Sequence, residues 1–159
     1  TYYDAIEGKT EISCFNEWVN ELKTFNYLHN HTRMWFASIW IFTLNLPWQL
    51  GAKFFMENLI DGDFASNNGG WQWSASTGTD AAPYFRIFNP ITQSQNFDPE
   101  GKFIKHFIPE LNKLSAKDIH FPSRDLFTSL SYSSPILDLK SSRLRAIEVF
   151  KENNATRDA

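Results

Sequence analysis

A chain of 159 residues with a formal charge of −3, 42% hydrophobic and 21% charged residues has the makeup of one globular domain with a core, and excludes a disordered or strongly basic nucleic-acid arm. A single cysteine, Cys14, excludes an internal disulfide framework and a zinc cluster, and suits a reducing compartment, with the cytoplasm as the expected location. No basic and apolar leader opens the chain, and the longest apolar stretch, Met34 to Leu50, is broken by Ser38, Thr43, Asn45, Pro47 and Gln49, so no membrane segment is expected.

From Ile12 to Phe25 the apolar residues Ile12, Phe15, Trp18, Val19, Leu22 and Phe25 recur at helical spacing and predict an amphipathic helix. A second helix is expected over about His29 to Thr43 and a third over about Pro47 to Ile60, with proline suited to the first turn. Between Asp61 and Asn96 the composition shifts. Asn67-Asn68-Gly69-Gly70 sets amides and bare backbone beside Trp71 and Trp73, which reads as a ligand-contacting turn with a short helix or as an irregular connector. Asp98-Pro99-Glu100 reads as a helix start leading into Phe103, Ile104 and Phe107 and stopping near Pro109. Ser115 to Leu139 reads as loop with short turns, and Ser141 to Asn153 as a last amphipathic helix. The architecture expected is all-α, in one domain over residues 1–159.

Several chemistries find no support. The histidines His29, His31, His106 and His120 have no ligand spacing that completes a metal site, so no metal is expected. Gly-x-Ser-x-Gly, phosphate-loop and dinucleotide-fingerprint motifs are absent from the sequence. Asp61 and Asp63 flank Gly62 and read either as paired carboxylates for acid–base or magnesium chemistry or as a solvated turn. Arg33, embedded beside Met34, Trp35 and Phe36, needs a carboxylate or a ligand, and Asp61 or Asp63 is the natural partner.

Together, the runs His29-Asn30-His31-Thr32-Arg33-Met34, Asp61-Gly62-Asp63, Asn67-Asn68-Gly69-Gly70-Trp71-Gln72-Trp73 and Thr77-Gly78-Thr79-Asp80-Ala81-Ala82-Pro83-Tyr84-Phe85-Arg86-Ile87-Phe88-Asn89-Pro90 resemble the C-terminal flavin-binding half of the DNA photolyase/cryptochrome family. Glu7-Gly8-Lys9-Thr10 before them, and Asp98-Pro99-Glu100-Gly101 and Pro109-Glu110-Leu111 after them, keep the same order. The resemblance covers roughly Glu7 to Leu111 and is nearest to enzymes that repair cyclobutane pyrimidine dimers.

The resemblance implies a helical domain that holds FAD, whose reduced and light-excited form donates an electron to the dimer. By position, Asn67 would face the flavin N5, where an amide can donate or accept. Arg33 and Asp61 would pair beside the ring, and Asp63 and Asn30 would line the cofactor or lesion pocket. Trp71 and Trp48 would belong to an electron relay whose third member lies upstream of Thr1. Trp73 would wall the dimer pocket, Met34 would pack on the lesion, and Arg86 would contact phosphate.

Departures from the family pattern shape the expectation. Glu11-Ile12-Ser13 stands where the family continues with glycine, an aromatic residue and proline; Asn16 replaces an aspartate, Tyr27 a tryptophan, and His31 an arginine that would touch DNA. A chain beginning at Thr1 is expected to be the C-terminal part of a longer two-domain protein. It would need its N-terminal part as partner, bind FAD weakly or not at all alone, and act on damaged DNA only when completed. A cryptochrome-like photoreceptor signalling through a protein partner is the alternative. A cofactor-free helical binding module is a third reading, which the joint presence of Asn67, Arg33 and Asp61 disfavours.

Overall fold

In α2 (Ser13–Phe25) the residues Phe15, Trp18, Val19 and Leu22 are all buried, as the helical spacing predicts. The computed structural model describes residues 2–79, 88–122 and 138–155, and no strand occurs among them. Before α2 stands α1 (Tyr2–Glu7), a short helix that periodicity does not announce. Asn16 joins the two: its side-chain oxygen accepts from Thr10 N at 2.9 Å and Thr10 Oγ1 at 2.6 Å, while its Nδ2 donates to Thr10 O at 2.7 Å. An amide can do both, whereas the aspartate common in the family could only accept.

Helix α2 ends at Asn26, in the left-handed region at φ 57°. Asn26 then clamps two helix ends together, donating Nδ2 to Asn58 O at 2.9 Å and accepting Ile60 N–H at 2.8 Å. The next helix, α3 (Asn30–Ser38), is capped by His29, whose Nδ1 accepts His31 N–H at 3.3 Å. It runs on into a π-helical turn, Ile39–Thr43, closed by Leu44 N–H on Ile39 O at 2.9 Å. The expected second helix thus exists over nearly its expected length, with its last turn widened by one residue.

Pro47 is the residue before α4 (Trp48–Asn58), not a member of its first turn. Gly51 in α4 allows α5 (Phe64–Ser74) to close in, because a Cβ there would lie 2.2 Å from Cη2 of Trp71. Around this contact Phe15, Phe36, Trp40, Phe54, Phe55 and Trp71 form an aromatic core. The Asn67–Gly70 run, expected as a ligand-contacting turn with a short helix or as an irregular connector, lies wholly inside α5. Two interior glycines cost a helix roughly 1 kcal/mol each against alanine, and burial of Trp71 and the Asp63 cap offset that cost.

The helix α6 (Pro90–Phe97) was also not foreseen; Asn89 caps it by accepting the Ile91 and Thr92 N–H groups, with Pro90 in the first turn. The expected helix start at Asp98 is corrected: Asp98 closes α6, and α7 spans Lys102–Phe107. Between them Gly101 has φ 69°, and a Cβ on it would meet Ile119 Cγ2 at 2.7 Å, so only glycine fits. Asp98 still serves α7, accepting Ile104 N–H at 2.9 Å. A 3₁₀ turn (Pro109–Leu111) follows, and Ile108, Leu111, Leu114 and Ile119 make a second small core. The final helix, α8 (Leu139–Ala155), extends two residues beyond each expected end. Among the described residues no helix is long and apolar enough to cross a membrane.

Candidate functional site

Arg33 lies in α3 one turn in from its start, where three contacts hold its guanidinium. Nε donates to Leu28 O at 2.8 Å, and Nη2 donates to both carboxylate oxygens of Asp61 at 2.9 and 2.8 Å. The Tyr27 ring lies 5.2 Å below Cζ, a cation–π distance. Only 23% of the Arg33 side chain is exposed, against 47% for Asp61, so the carboxylate is what makes this cation tolerable near a core. The sequence requirement for a partner is met by Asp61. The Asn26 clamp brings this about, since it fixes the end of α4 against the strap Tyr27–Leu28 on which Arg33 leans.

Asp63, the other candidate carboxylate, is exposed and caps α5, accepting Ser66 N–H at 2.8 Å. That bond to its charged form holds the Asp63 carboxyl below the usual aspartate range. The acid–base pair reading of Asp61 and Asp63 therefore gives way to an ion-pair partner and a helix cap. Within the first turns of α5, Asn67 is half-buried and donates Nδ2 to Ala52 O of α4 at 2.8 Å. Its oxygen is thereby left as the acceptor of the amide. Next to it, Gly69 and Gly70 are exposed, and a Cβ on either would meet nothing within 4 Å, leaving a bare helix face.

The tryptophans divide by burial. Trp71 is 2% exposed and sits edge-on to Phe36, Trp40 and Phe55. Trp48 opens α4, half-buried against the same core, and is not one of the rings touching Trp71. Trp73 and Met34 are half-buried, and Asn30 is exposed at the start of α3. Arg86 lies outside the described residues. His31 stacks on Trp35 at 6.2 Å and lies 4.7 Å from the Phe97 ring, with His29 at 5.6 Å. His29 and His31 come together because His29 stands just outside the helix as its cap. Sequence reasoning also missed Tyr27 and Leu28 as supports of Arg33, and Gly51 as the seat of Trp71; a glycine among bulky apolar residues of a helix was the available signal.

As a set of polar groups, a compensated guanidinium with Nη1 unused among the described residues, an amide oxygen free to accept and a bare glycine face fit a flat polar heterocycle such as a flavin. Comparison with known proteins agrees. Residues 6–152 match the family model described as the FAD binding domain of DNA photolyase. The chain is 44% identical over 148 residues to the deoxyribodipyrimidine photo-lyase of Escherichia coli K12, covering 91% of this chain and 31% of that protein. With the enzyme of the same name from Halobacterium salinarum it shares 39% over 150 residues, 91% of this chain and 31% of the other. Among solved structures, a class III photolyase from Agrobacterium tumefaciens superimposes with TM-score 0.79 at 36% identity, covering 95% of this chain and 33% of that one. A Synechocystis cryptochrome superimposes with TM-score 0.77 at 29% identity, covering 92% and 32%. The chain spans about a third of the length of the curated relatives it matches.

Proposed function

The chain belongs to the family of the FAD-binding domain of DNA photolyases, and on that premise we propose that it is the C-terminal part of the catalytic domain of an enzyme that repairs cyclobutane pyrimidine dimers with light. FAD, the cofactor of this family, supplies light absorption and one-electron transfer. The observation that carries the reading is the Arg33–Asp61 pair, because a half-buried guanidinium fixed on Leu28, Tyr27 and Asp61 presents a permanent positive charge at a set place.

What this chain's residues do follows from their chemistry. Arg33 favours the electron-rich state of a bound ring, and Asp61 keeps that cation compensated when the ring carries no charge. Asn67, with its nitrogen engaged on Ala52, offers an oxygen that accepts from an N–H at flavin N5. Asn30 and Asp63 would line the cofactor or lesion pocket, and Asp63 also caps α5 ahead of Asn67. Trp73 and Met34 supply stacking and thioether contact for bases turned out of a duplex, and Arg86 a phosphate contact. Trp71 and Trp48 supply oxidisable indoles for an electron relay. Damaged DNA and the N-terminal part of the same protein are the partners this reading requires.

A photoreceptor role is the second reading, favoured by His31 where the family places a DNA-touching arginine and supported by the likeness to a cryptochrome. The experiment is light-dependent loss of thymine dimers from an oligonucleotide, measured with this chain completed by its N-terminal part. Loss of dimers under blue light supports repair. Flavin reduction with intact dimers overturns repair in favour of sensing, and failure of the completed protein to hold FAD overturns both.

A further inference from the structure

Four rings lead from the buried centre to solvent without using Trp48. The Trp71 and Trp40 centroids are 6.0 Å apart at 79°, Trp40 and Tyr2 are 6.0 Å apart at 87°, and Tyr2 and Tyr3 are 5.5 Å apart at 65°. Such separations bring ring edges close to contact, the condition for rapid electron exchange between neighbours. The row runs from buried indoles to an exposed phenol: Trp71 is 2% and Trp40 0% exposed, Tyr2 is half-buried, and Tyr3 is 71% exposed. We propose that Trp71, Trp40, Tyr2 and Tyr3 form a second route by which an electron deficit created at Trp71 passes to the phenols of α1.

Proton chemistry gives the route its direction. An oxidised indole is far more acidic than the neutral ring, and it is trapped once its N–H proton leaves to a base. The Trp40 Nε1–H is held on the Pro47 carbonyl at 3.0 Å, a very weak base in a fully buried place, so the deficit at Trp40 stays mobile. Tyr3 has the opposite setting. Its exposed ring can give its phenolic proton to water as the electron leaves, which stabilises the neutral phenoxyl radical.

The steps balance. A one-electron oxidant, the light-excited oxidised flavin of the reading above, takes an electron from Trp71; Trp40 then reduces Trp71, and Tyr2 reduces Trp40 while releasing its phenolic proton. Tyr3 finally returns an electron to the Tyr2 radical, which recovers a proton, and loses its own proton to water. In total one electron reaches the oxidant and one proton reaches solvent. The use of this route in light rests on the proposed function, but the route itself rests on ring geometry.

The test therefore uses an inorganic oxidant and the 159-residue chain without flavin. Azidyl radicals made by pulse radiolysis take one electron from indoles in preference to phenols, leaving as azide. The indolyl absorption should decay as the tyrosyl absorption grows, in a first-order step independent of protein concentration. Trp40→Phe and Tyr2→Phe, which keep a ring in each place, should slow that step at least several-fold. Tyr3→Phe should leave the step in place but strand the radical on Tyr2, where ascorbate reduces it more slowly. Equal rates in the parent chain and in Tyr2→Phe, or a rate that scales with concentration, would overturn the proposal. Should Trp40→Phe fail to fold by circular dichroism, the two tyrosine variants still decide it.

Discussion

A single nitrogen joins Arg33 to Asp61: Nη2 bridges both carboxylate oxygens at 2.9 and 2.8 Å, while Nε of the same guanidinium holds the Leu28 carbonyl. One side chain thereby ties the start of α3 to the turn that leads into α5. Lysine has one nitrogen and cannot make both attachments. Arg33→Lys and Asp61→Asn should each lower the unfolding free energy by about 1 kcal/mol, the upper end for a pair partly screened by solvent. Urea denaturation followed by circular dichroism measures it. In the protein completed by its N-terminal part, both variants should also weaken FAD binding, read by flavin fluorescence quenching.

Gly51 and Trp71 have no room between them. Gly51→Ala places a methyl group 2.2 Å from the indole, against a ring that Phe36, Phe55 and Trp40 hold from other sides. The cost should reach about 3 kcal/mol, as for severe overpacking. The near-ultraviolet circular dichroism of the tryptophans should change along with the lowered melting temperature, which distinguishes displacement of the ring from a general loss of helix.

Asn26 combines a left-handed backbone with a clamp. Asn26→Ala loses the bond to Asn58 O and forces alanine into the left-handed region, together costing about 2 kcal/mol. Asn26→Gly keeps the backbone free and should cost about half as much. A denaturation series on the two variants separates conformational strain from the side-chain bond.

The Asp63 cap predicts a pH response. Its carboxyl is held below the ordinary aspartate range by the Ser66 N–H and hydroxyl, so its contribution is present above the unfolded-state value and is lost as pH falls through the lower folded value. Asp63→Asn retains an oxygen for the cap but no titrating charge. Comparing denaturation midpoints at neutral and strongly acidic pH, the difference between parent and variant should shrink or reverse in acid.

How far the sequence disclosed this arrangement depended on whether the signal was local. Helix α2 was readable because four buried residues recur on one face. The Arg33–Asp61 pair was readable because a cation in an apolar run demands an anion. Helix α5 was readable only as a short helix beside a turn, since Asn67-Asn68-Gly69-Gly70 has turn composition and its helical state depends on a ring buried against another helix and on the Asp63 cap. Asn26 carried no pattern at all; its importance comes from Asn58 and Ile60, more than thirty positions along the chain. The Trp40–Tyr2 neighbourhood likewise follows from the packing of α1 and the π-helical turn, and α1 itself was not foreseen.

The widened turn at Ile39–Thr43 accommodates one residue more than a regular helix would. Excising a residue there would tighten the turn to regular helix and shorten the connection between Trp40 and Pro47 by one residue. Pro47 would no longer meet the Trp40 indole, and Ala52 would leave the Asn67 amide. The helix count would survive such a deletion, while the bonds that set α4 against the π-helical turn and α5 would not.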